Sequence, residues 1–391
     1  MTTPSRRTAL KLAGALGVTF LAAPAFADPA LQRRRLVVII CRGAMDGLSV
    51  APPLGDPDYL ALRGPIAITA DKALKLNTDF GLHPKLETVA ALAAAGQARI
   101  VPAVAIPQRI RSHFEAQDLL ETGGDRLYGT ATGWLNRALA AAGPPRPIKA
   151  LSIGAQEPLI LKGPVETQSW SPGGRLTPDI NRLSQTLADL YQGDPLLGPA
   201  LASGLQTEAM AEGLGGLAAN GRDARGFAVT AAKFLTADGG PQVAVVSLTG
   251  FDTHAAQGAA EGQLANHLKV LDQVMDGLRE GLGPAWSQTA VVVVTEFGRT
   301  ARINGTGGTD HGTAGAMILA GGALRAGGIV GDWPTLKAAA LFENRDLAPT
   351  LDVRQVFKGV LRDHLGLDRR ALDEQVFPHS AAAPATANLV A

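Results

Sequence analysis

Three short segments rich in Val, Ile or Leu set the strongest limit on how this chain can fold. They cover residues 36–40, 242–249 and 289–295, and the first contains no polar residue. A strand without alternating polar residues is typical of a parallel sheet that is buried on both faces. Helical patterns lie between and around these strands, and this alternation favours an α/β fold over an all-β or all-helical one.

Weaker patterns complete the predicted order of elements. Further strands are expected at residues 98–106, 148–153 and 158–161, and further helices at residues 86–95, 112–121, 133–142, 261–282 and 351–365. Ser112 stands where a helix begins, and Glu115 three residues later completes the pattern of a capping box.

One domain over residues 34–368 is therefore predicted, with a mostly parallel β-sheet flanked by helices on both faces. Residues 178–238 are expected to form a helical insertion over one side of the sheet. Residues 380–391 are rich in Ala and Pro, and a disordered tail is expected there.

The N-terminus is typical of an export signal. Arg6 and Arg7 precede an apolar stretch at residues 12–23, which is too short for a membrane span of about 20 residues. Small residues at positions 25 and 27 match a signal peptidase site. Paired arginines before a weakly apolar stretch resemble a twin-arginine signal. Residues 1–27 are thus predicted to be a signal peptide, with an ordinary secretory signal as the alternative.

This prediction has consequences for location and partners. The protein is expected in the periplasm or secreted, and the twin-arginine translocation machinery is an expected partner. Cleavage after residue 27 would remove three basic residues and no acidic ones. The whole chain has 36 basic and 35 acidic residues, so the mature chain would have 33 basic and 35 acidic residues and a slightly negative net charge.

Composition excludes several other classes of protein. The charge balance is near neutral, whereas nucleic-acid binding needs a clustered basic surface, so no nucleic-acid partner is expected. No later apolar run is long enough for a membrane span. Cys41 is the only cysteine, so it cannot form an intramolecular disulfide, and it is expected to be buried beside the first strand.

Polar residues that follow the predicted strands form the candidate site. Ligands of open α/β sheets bind beyond the carboxyl ends of the strands, so these side chains are expected to converge. The candidate metal ligands are Asp46, Asp252, His254, Glu296, Asp310 and His311, and the candidate catalytic residues are Ser112, His113 and Arg299.

Carboxylate oxygens and imidazole nitrogens together predict one or two divalent ions: zinc, manganese, magnesium or calcium. Two such ions can clamp both reacting oxygens of a phosphoryl or sulfuryl transfer. Ser112 lies at a helix start, where an anion is favoured, and a metal beside its hydroxyl would make it a nucleophile. Structural alternatives stay open: Asp46 as a turn residue, Ser112 as a helix cap, and Arg299 as the partner of Glu296.

Five motifs together resemble a known family. They are RGAMDGL (42–48), RSHFEAQDLLETG (111–123), LTGFDTH (248–254), VVVVTEFGRT (291–300) and GTDHGTA (308–314). The chain is similar over residues 34–368 to the domain of unknown function 1501 family, within the alkaline phosphatase and sulfatase superfamily. The resemblance implies an alkaline phosphatase-like fold, Asp46 as first-strand metal ligand and Ser112 as nucleophile. It also implies that Asp252, His254, Glu296 and His311 are metal ligands.

The chain departs from the superfamily pattern in two places. Asp252 and His254 are two residues apart where the superfamily often has four, and Phe297 stands where a histidine ligand usually follows. His113 or Asp310 could replace that ligand, or a second metal could be absent. No Cys or Ser lies in the context of a formylglycine sulfatase.

These observations favour an exported metal-dependent hydrolase of phosphate or sulfate esters, with a small molecule or polymer as substrate. The alternative is a non-catalytic periplasmic binding or assembly protein with a degenerate site. An oxidoreductase ranks last, because the sequence lacks an iron–sulfur cysteine set, a haem-attachment motif and a dinucleotide fingerprint.

Overall fold

A computed structural model gives the architecture of most of the chain. It describes residues 31, 33–142, 150–154, 157–171, 187, 190–191, 194–195, 197–213 and 223–391. The predicted signal peptide at residues 1–27 lies outside these ranges. No helix within them is both long and apolar enough to cross a membrane.

Ten strands occur in the described residues. They are β1 (Arg35–Cys41), β2 (Leu74–Lys75), β3 (Gly81–Leu82), β4 (Ala98–Ala105), β5 (Ala150–Ile153), β6 (Gln168–Trp170), β7 (Val243–Leu248), β8 (Thr289–Val294), β9 (Gly315–Ala320) and β10 (Leu351–Asp352). Eight form one sheet in the order β10-β4-β9-β8-β1-β7-β5-β6, and β2 pairs with β3 separately.

The large sheet is mostly parallel, as predicted. β1 lies in its middle and pairs in parallel with β7 on one side and β8 on the other. β9 is antiparallel to both of its neighbours, β4 and β8. The carboxyl ends of β1, β7 and β8 therefore meet at one edge of the sheet.

Nine α-helices accompany the strands in the described residues. They are α1 (Gly47–Val50), α2 (Tyr59–Arg63), α3 (Glu87–Ala94), α4 (His113–Thr122), α5 (Trp134–Ala142), α6 (Leu197–Gly213), α7 (Ala224–Thr236), α8 (Gln263–Leu282) and α9 (Val353–Leu365). The clearest boundary is that of α9, where Asp352 and Gln355 form a capping box and Gly366 ends the helix in the left-handed conformation.

Helices cover both faces of the sheet because alternate residues of each strand point to opposite sides. Val38 and Ile40 of β1 belong to an apolar core that includes residues of α4, α5 and α9. Val37 and Ile39 belong to a second core with residues of α3, α7 and α8. Both faces being apolar explains why β1 lacks polar alternation. Cys41 is free and buried, as expected.

The structure corrects several sequence-based expectations about secondary structure. Residues Leu159–Leu161 form a 3₁₀ helix rather than a strand. The strands β2, β3, β6, β9 and β10 were not expected from the sequence. β9 begins at Gly315, the last residue of a Gly-rich segment at residues 303–315. Of the insertion expected at residues 178–238, the described part holds α6 and α7, and α7 packs along α8.

The tail at residues 380–391 is ordered, contrary to the expectation of disorder. Leu389 and Val390 are buried in the core of the α9 face, and Leu324 forms a β-bridge with Val390. The Arg325 amide also donates to the Leu389 carbonyl. Two apolar residues near the end of the tail anchor it to this core by their burial, although its average composition is that of a linker.

A buried histidine gives the fold a specific acid sensitivity. His364 is fully buried, and its Nε2–H donates to the Arg35 carbonyl while Nδ1 has no partner. Burial lowers the pKa of His364 to about 4. The unfolded chain binds this proton near pH 6.5, so stability is full above that pH and falls as pH drops towards 4.

We expect His364 to account for a loss of about 3 kcal/mol in the free energy of unfolding between pH 7 and pH 4. Urea unfolding at a series of pH values measures this loss. The variant His364→Gln cannot titrate, so its unfolding free energy should change less over the same range. Parallel curves for the two proteins would contradict the assignment.

Candidate metal centre

The loops after β7 and β8 and the start of α4 bring four predicted site residues together at the carboxyl edge of the sheet. Asp252 and His254 follow β7, His113 begins α4, and His311 lies in the loop before β9. We call these four residues the His/Asp cluster. One donor atom each from His113, Asp252 and His311 lies within 4.8 Å of the other two, a grouping that could hold a metal ion.

His254 extends this group. Its Nε2 lies 2.9 Å from His311 Nε2 and 3.0 Å from Asp252 Oδ1. His311 Nε2 is 3.2 Å from the same carboxylate oxygen, and His113 Nε2 is 3.2 Å from Asp252 Oδ2. Three imidazole Nε2 atoms therefore surround one carboxylate.

Each histidine is oriented by an acceptor at its other ring nitrogen. His113 Nδ1 lies 2.8 Å from Glu296 Oε1, and His311 Nδ1 lies 2.7 Å from the Arg111 carbonyl. His254 Nδ1 faces Asp310 Oδ1 at 3.4 Å. A carbonyl or carboxylate can only accept, so each Nδ1 carries a proton. The three Nε2 atoms face the Asp252 carboxylate, where each either donates a second proton or, without that proton, has a lone pair free for a cation. Such outer partners are usual for metal-binding histidines.

Two contacts fit a cation at this place. His113 Nε2 is buried and makes no hydrogen bond, although Asp252 Oδ2 lies 3.2 Å away. The Nε2 atoms of His254 and His311 face each other, which is repulsive unless a proton or a cation lies between them. Imidazole nitrogens with one carboxylate form a donor set suited to zinc and similar ions, so the residues present fit a divalent metal.

The charge states of Asp252 and His311 also suit a metal. Burial favours a higher pKa for Asp252, but Arg299 and His311 outweigh it and hold the pKa below its usual value. Burial lowers the pKa of His311. An ionised carboxylate and a neutral imidazole are the forms that bind metal. His113 differs, because its hydrogen bond to Glu296 raises its pKa, so a metal ion at its Nε2 has to displace a proton. The Asp252 side chain is 42% exposed, so the cluster is open to solvent.

Asp46 lies outside the cluster, in a buried ion pair. Its carboxylate accepts from the guanidinium of Arg63, and both side chains are almost fully buried. Gln257 and Ser49 donate to the same oxygen, and the Leu48 amide donates to the other. Both oxygens of Asp46 are thus engaged by protein groups, and its role as a metal ligand, expected from the sequence, stays a prediction.

Glu296 also binds protein groups only. Its Oε1 accepts from the Gly43 amide at 2.8 Å, from His113 and from Gln117, and its Oε2 accepts from Thr295. Gly43 has a φ of +112°, and a Cβ there would lie 2.6 Å from the Asp252 nitrogen, so only glycine fits. Glu296 thus orients His113, where the sequence predicts a direct ligand.

The remaining predicted residues surround the cluster. Arg299 pairs with Asp252 Oδ1 at 2.8 Å rather than with Glu296, and its buried Nη2 has no partner. Asp310 orients His254 from the outside. Ser112 occupies the N-cap of α4 with extended backbone, but its side chain makes no capping hydrogen bond, so the expected capping box is not formed.

Sequence reasoning missed the groups that decide these roles. Arg63 lies in a helix of five residues, Gln257 in a loop, and Arg111 acts through its backbone carbonyl. None of them follows a strand that was singled out. The one signal in the sequence was the position of Arg111 directly before Ser112. It could not identify the contact, because every residue has a backbone carbonyl that can accept a hydrogen bond.

Metal content tests the cluster directly. We expect the dialysed protein to retain one divalent ion, because the described residues contain one group of converging donors. Asp252→Ala and His311→Ala should lose it, as measured by elemental mass spectrometry. His379→Ala removes an exposed histidine far along the chain and should retain the ion. A folded wild-type protein without metal would refute the assignment.

Stability tests the ion pair. Arg63→Met leaves the Asp46 carboxylate buried without its counter-charge, so we expect the free energy of unfolding to fall by about 3–5 kcal/mol. Adding Asp46→Asn removes the unpaired charge and should recover part of the loss. Urea unfolding at pH 7 provides the measurement. An Arg63→Met protein as stable as the wild type would show that the ion pair does not contribute this free energy to the fold.

Several solved structures show a limited likeness to the chain. Ps i-CgsB in complex with k-i-k-neocarrahexaose is 12% identical, with 89% of this chain and 76% of that chain covered and a TM-score of 0.40. The zinc complex of the C-terminal periplasmic domain of EcEptC from Escherichia coli is 10% identical, with 89% and 87% covered and a TM-score of 0.41. The phosphonate monoester hydrolase of Agrobacterium radiobacter is 12% identical, with 86% and 74% covered and a TM-score of 0.37.

A family model gives a more direct result. No curated protein matches the chain in sequence. The model described as "Protein of unknown function (DUF1501)" matches residues 33–376, which is most of the chain and includes the whole His/Asp cluster. This protein therefore belongs to the DUF1501 family.

Proposed function

We propose that this protein is an exported, metal-dependent hydrolase of phosphate or sulfate esters, within the alkaline phosphatase and sulfatase superfamily. The observation that carries the proposal is the convergence of His113, Asp252, His254 and His311 with their Nε2 atoms and carboxylate facing one another. Zinc, manganese, magnesium or calcium would supply Lewis-acid stabilisation of the negative charge on the transferring group.

The protein side of the cluster would hold such an ion in a defined orientation. Glu296, Asp310 and the Arg111 carbonyl each fix one imidazole ring, which limits the loss of freedom on binding. Asp252 and His254 are 42% and 45% exposed, so a substrate can approach from solvent. One ion rather than two is favoured, because Asp46 and Glu296 are already bound to protein groups.

Ser112 is the proposed nucleophile. It directly precedes His113, and its hydroxyl is not used to cap α4. The first backbone N–H groups of a helix favour an anion, which supports an oxyanion beside Ser112. Arg299 is proposed to assist, since its buried Nη2 lacks a partner while Nη1 pairs with Asp252.

Export is proposed from residues 1–27 alone. Arg6 and Arg7 followed by a short apolar stretch support passage through the twin-arginine machinery. The substrate would then be a small-molecule or polymer ester outside the cytoplasm.

A non-catalytic binding or assembly protein is the second candidate. Asp46 and Glu296 would both be metal ligands in the superfamily pattern, yet each is turned to internal hydrogen bonds here. A cluster reduced in this way could bind metal for structure or recognition without turnover.

Ester hydrolysis by matched variants separates the two candidates. With a panel of aryl phosphate and aryl sulfate esters, we expect Ser112→Ala to lower kcat by about 10³-fold or more while it keeps its metal. Ser169→Ala, which removes an exposed serine from β6, should keep full activity.

Two results would count against the proposal. Full turnover by Ser112→Ala on every accepted ester would remove the covalent mechanism. A metal-loaded wild-type protein that hydrolyses none of the esters would favour the binding protein.

A further inference from the structure

One fully buried side-chain amide joins the two loops that carry the cluster. Gln257 Oε1 accepts from Thr253 Oγ1 at 2.9 Å and from Thr309 Oγ1 at 2.8 Å. Thr253 lies between Asp252 and His254, and Thr309 lies two residues before His311. A single oxygen thus holds both ligand-bearing loops.

The loops are in direct backbone contact at the same place. The Thr309 amide donates to the Thr253 carbonyl at 3.2 Å, and Ala255 forms a β-bridge with Gly307. A Cβ at Gly308 would lie 2.4 Å from the His254 carbonyl carbon, so the approach requires glycine. The spacing between the loops is therefore set by short contacts around Gln257.

The directions of the hydrogen bonds are determined along the network. Gln257 Nε2 faces the Asp46 carboxylate at 2.7 Å, and a carboxylate in an ion pair with Arg63 can only accept. The amide oxygen must then face the two threonines. Thr309 Oγ1 accepts from Arg299 Nε at 3.2 Å and donates to Gln257.

Arg299 carries the network to the cluster itself. Its Nη1 pairs with Asp252 Oδ1, the carboxylate oxygen that also faces His254 and His311. The buried Asp46–Arg63 pair is therefore connected through Gln257 and Thr309 to a cluster residue. An ordinary buried amide would satisfy its own polar atoms without reaching both ligand loops.

We infer that Gln257 is a positioning residue of the metal centre, which sets the distance between Asp252 and His254 on one loop and His311 on the other. The Asp46–Arg63 pair holds Gln257 in the required orientation. This inference rests on the proposed metal centre but needs no hydrolytic activity. It gives a role to Asp46 that accounts for its burial beside the site.

Zinc titration of the apo protein tests the inference. Gln257→Met keeps the length of the side chain and removes its hydrogen bonds, and we expect it to weaken zinc binding by about 10–100-fold, the usual cost of losing an outer partner. Thr309→Val removes the hydroxyl and should also weaken zinc binding. Thr309→Ser keeps the hydroxyl and should bind zinc with the wild-type Kd.

Asn136→Leu is the matched control. Asn136 is a fully buried amide that donates to the Leu161 and Val165 carbonyls and accepts from the Val165 amide, away from the cluster. It should lose stability but bind zinc with unchanged Kd. Equal weakening by Asn136→Leu and Gln257→Met would overturn the inference, as would an unchanged Kd for Gln257→Met.

Hydrogen exchange distinguishes failure of the inference from failure of the proposed function. In the apo protein, Gln257→Met should speed amide exchange in the segment 307–311, where the Thr309 amide is bonded to Thr253. If the wild type binds no zinc, the metal-dependent function fails and the metal role of Gln257 fails with it. Unchanged exchange would overturn the loop-holding role even where zinc binds.

Discussion

The parallel pairing of β1 with β7 and β8 is the constraint on which the rest of the site depends. Three adjacent parallel strands end at the same edge, so the loops that follow them must meet there. Asp252 and Glu296 come from two of these loops, and Gly43 from the third. β1 can lie in the middle of the sheet because both of its faces are apolar and covered by helices.

Several carboxylates lie at this edge of the sheet, and they have two different roles in the structure. Asp252 stays partly exposed among imidazoles, where an ion or a proton can satisfy it. Asp46 and Glu296 are buried, and a buried carboxylate needs cations or several donors. Arg63 meets that need for Asp46, and Gly43, His113 and Gln117 meet it for Glu296. The buried acids therefore support the exposed one.

Much of the fold could be predicted, and the failures have physical causes. β1, β7, β8 and α8 have strong apolar patterns, and their predicted bounds agree with the structure to within two residues. β9 lies within a Gly-rich region, and its pairing with β4 and β8 supplies the stability that its local sequence does not indicate. The 3₁₀ helix at Leu159–Leu161 and the packed tail likewise depend on distant partners, such as Glu121 for Ile160.

By itself, the sequence determined which polar residues follow strands, and so which ones reach the site edge: Asp252, His254, Glu296 and His311 all lie there. Tertiary structure alone decided what each carboxylate does. Asp46 is an ion-pair partner because Arg63, 17 residues along the chain, packs against it where both side chains are buried. Glu296 is held by Gly43 and Gln117 at Oε1 and by Thr295 at Oε2, and in this position its Oε1 also binds His113 Nδ1. A carboxylate's role depends on which charge or donor lies within about 3 Å, and three-dimensional packing sets that distance.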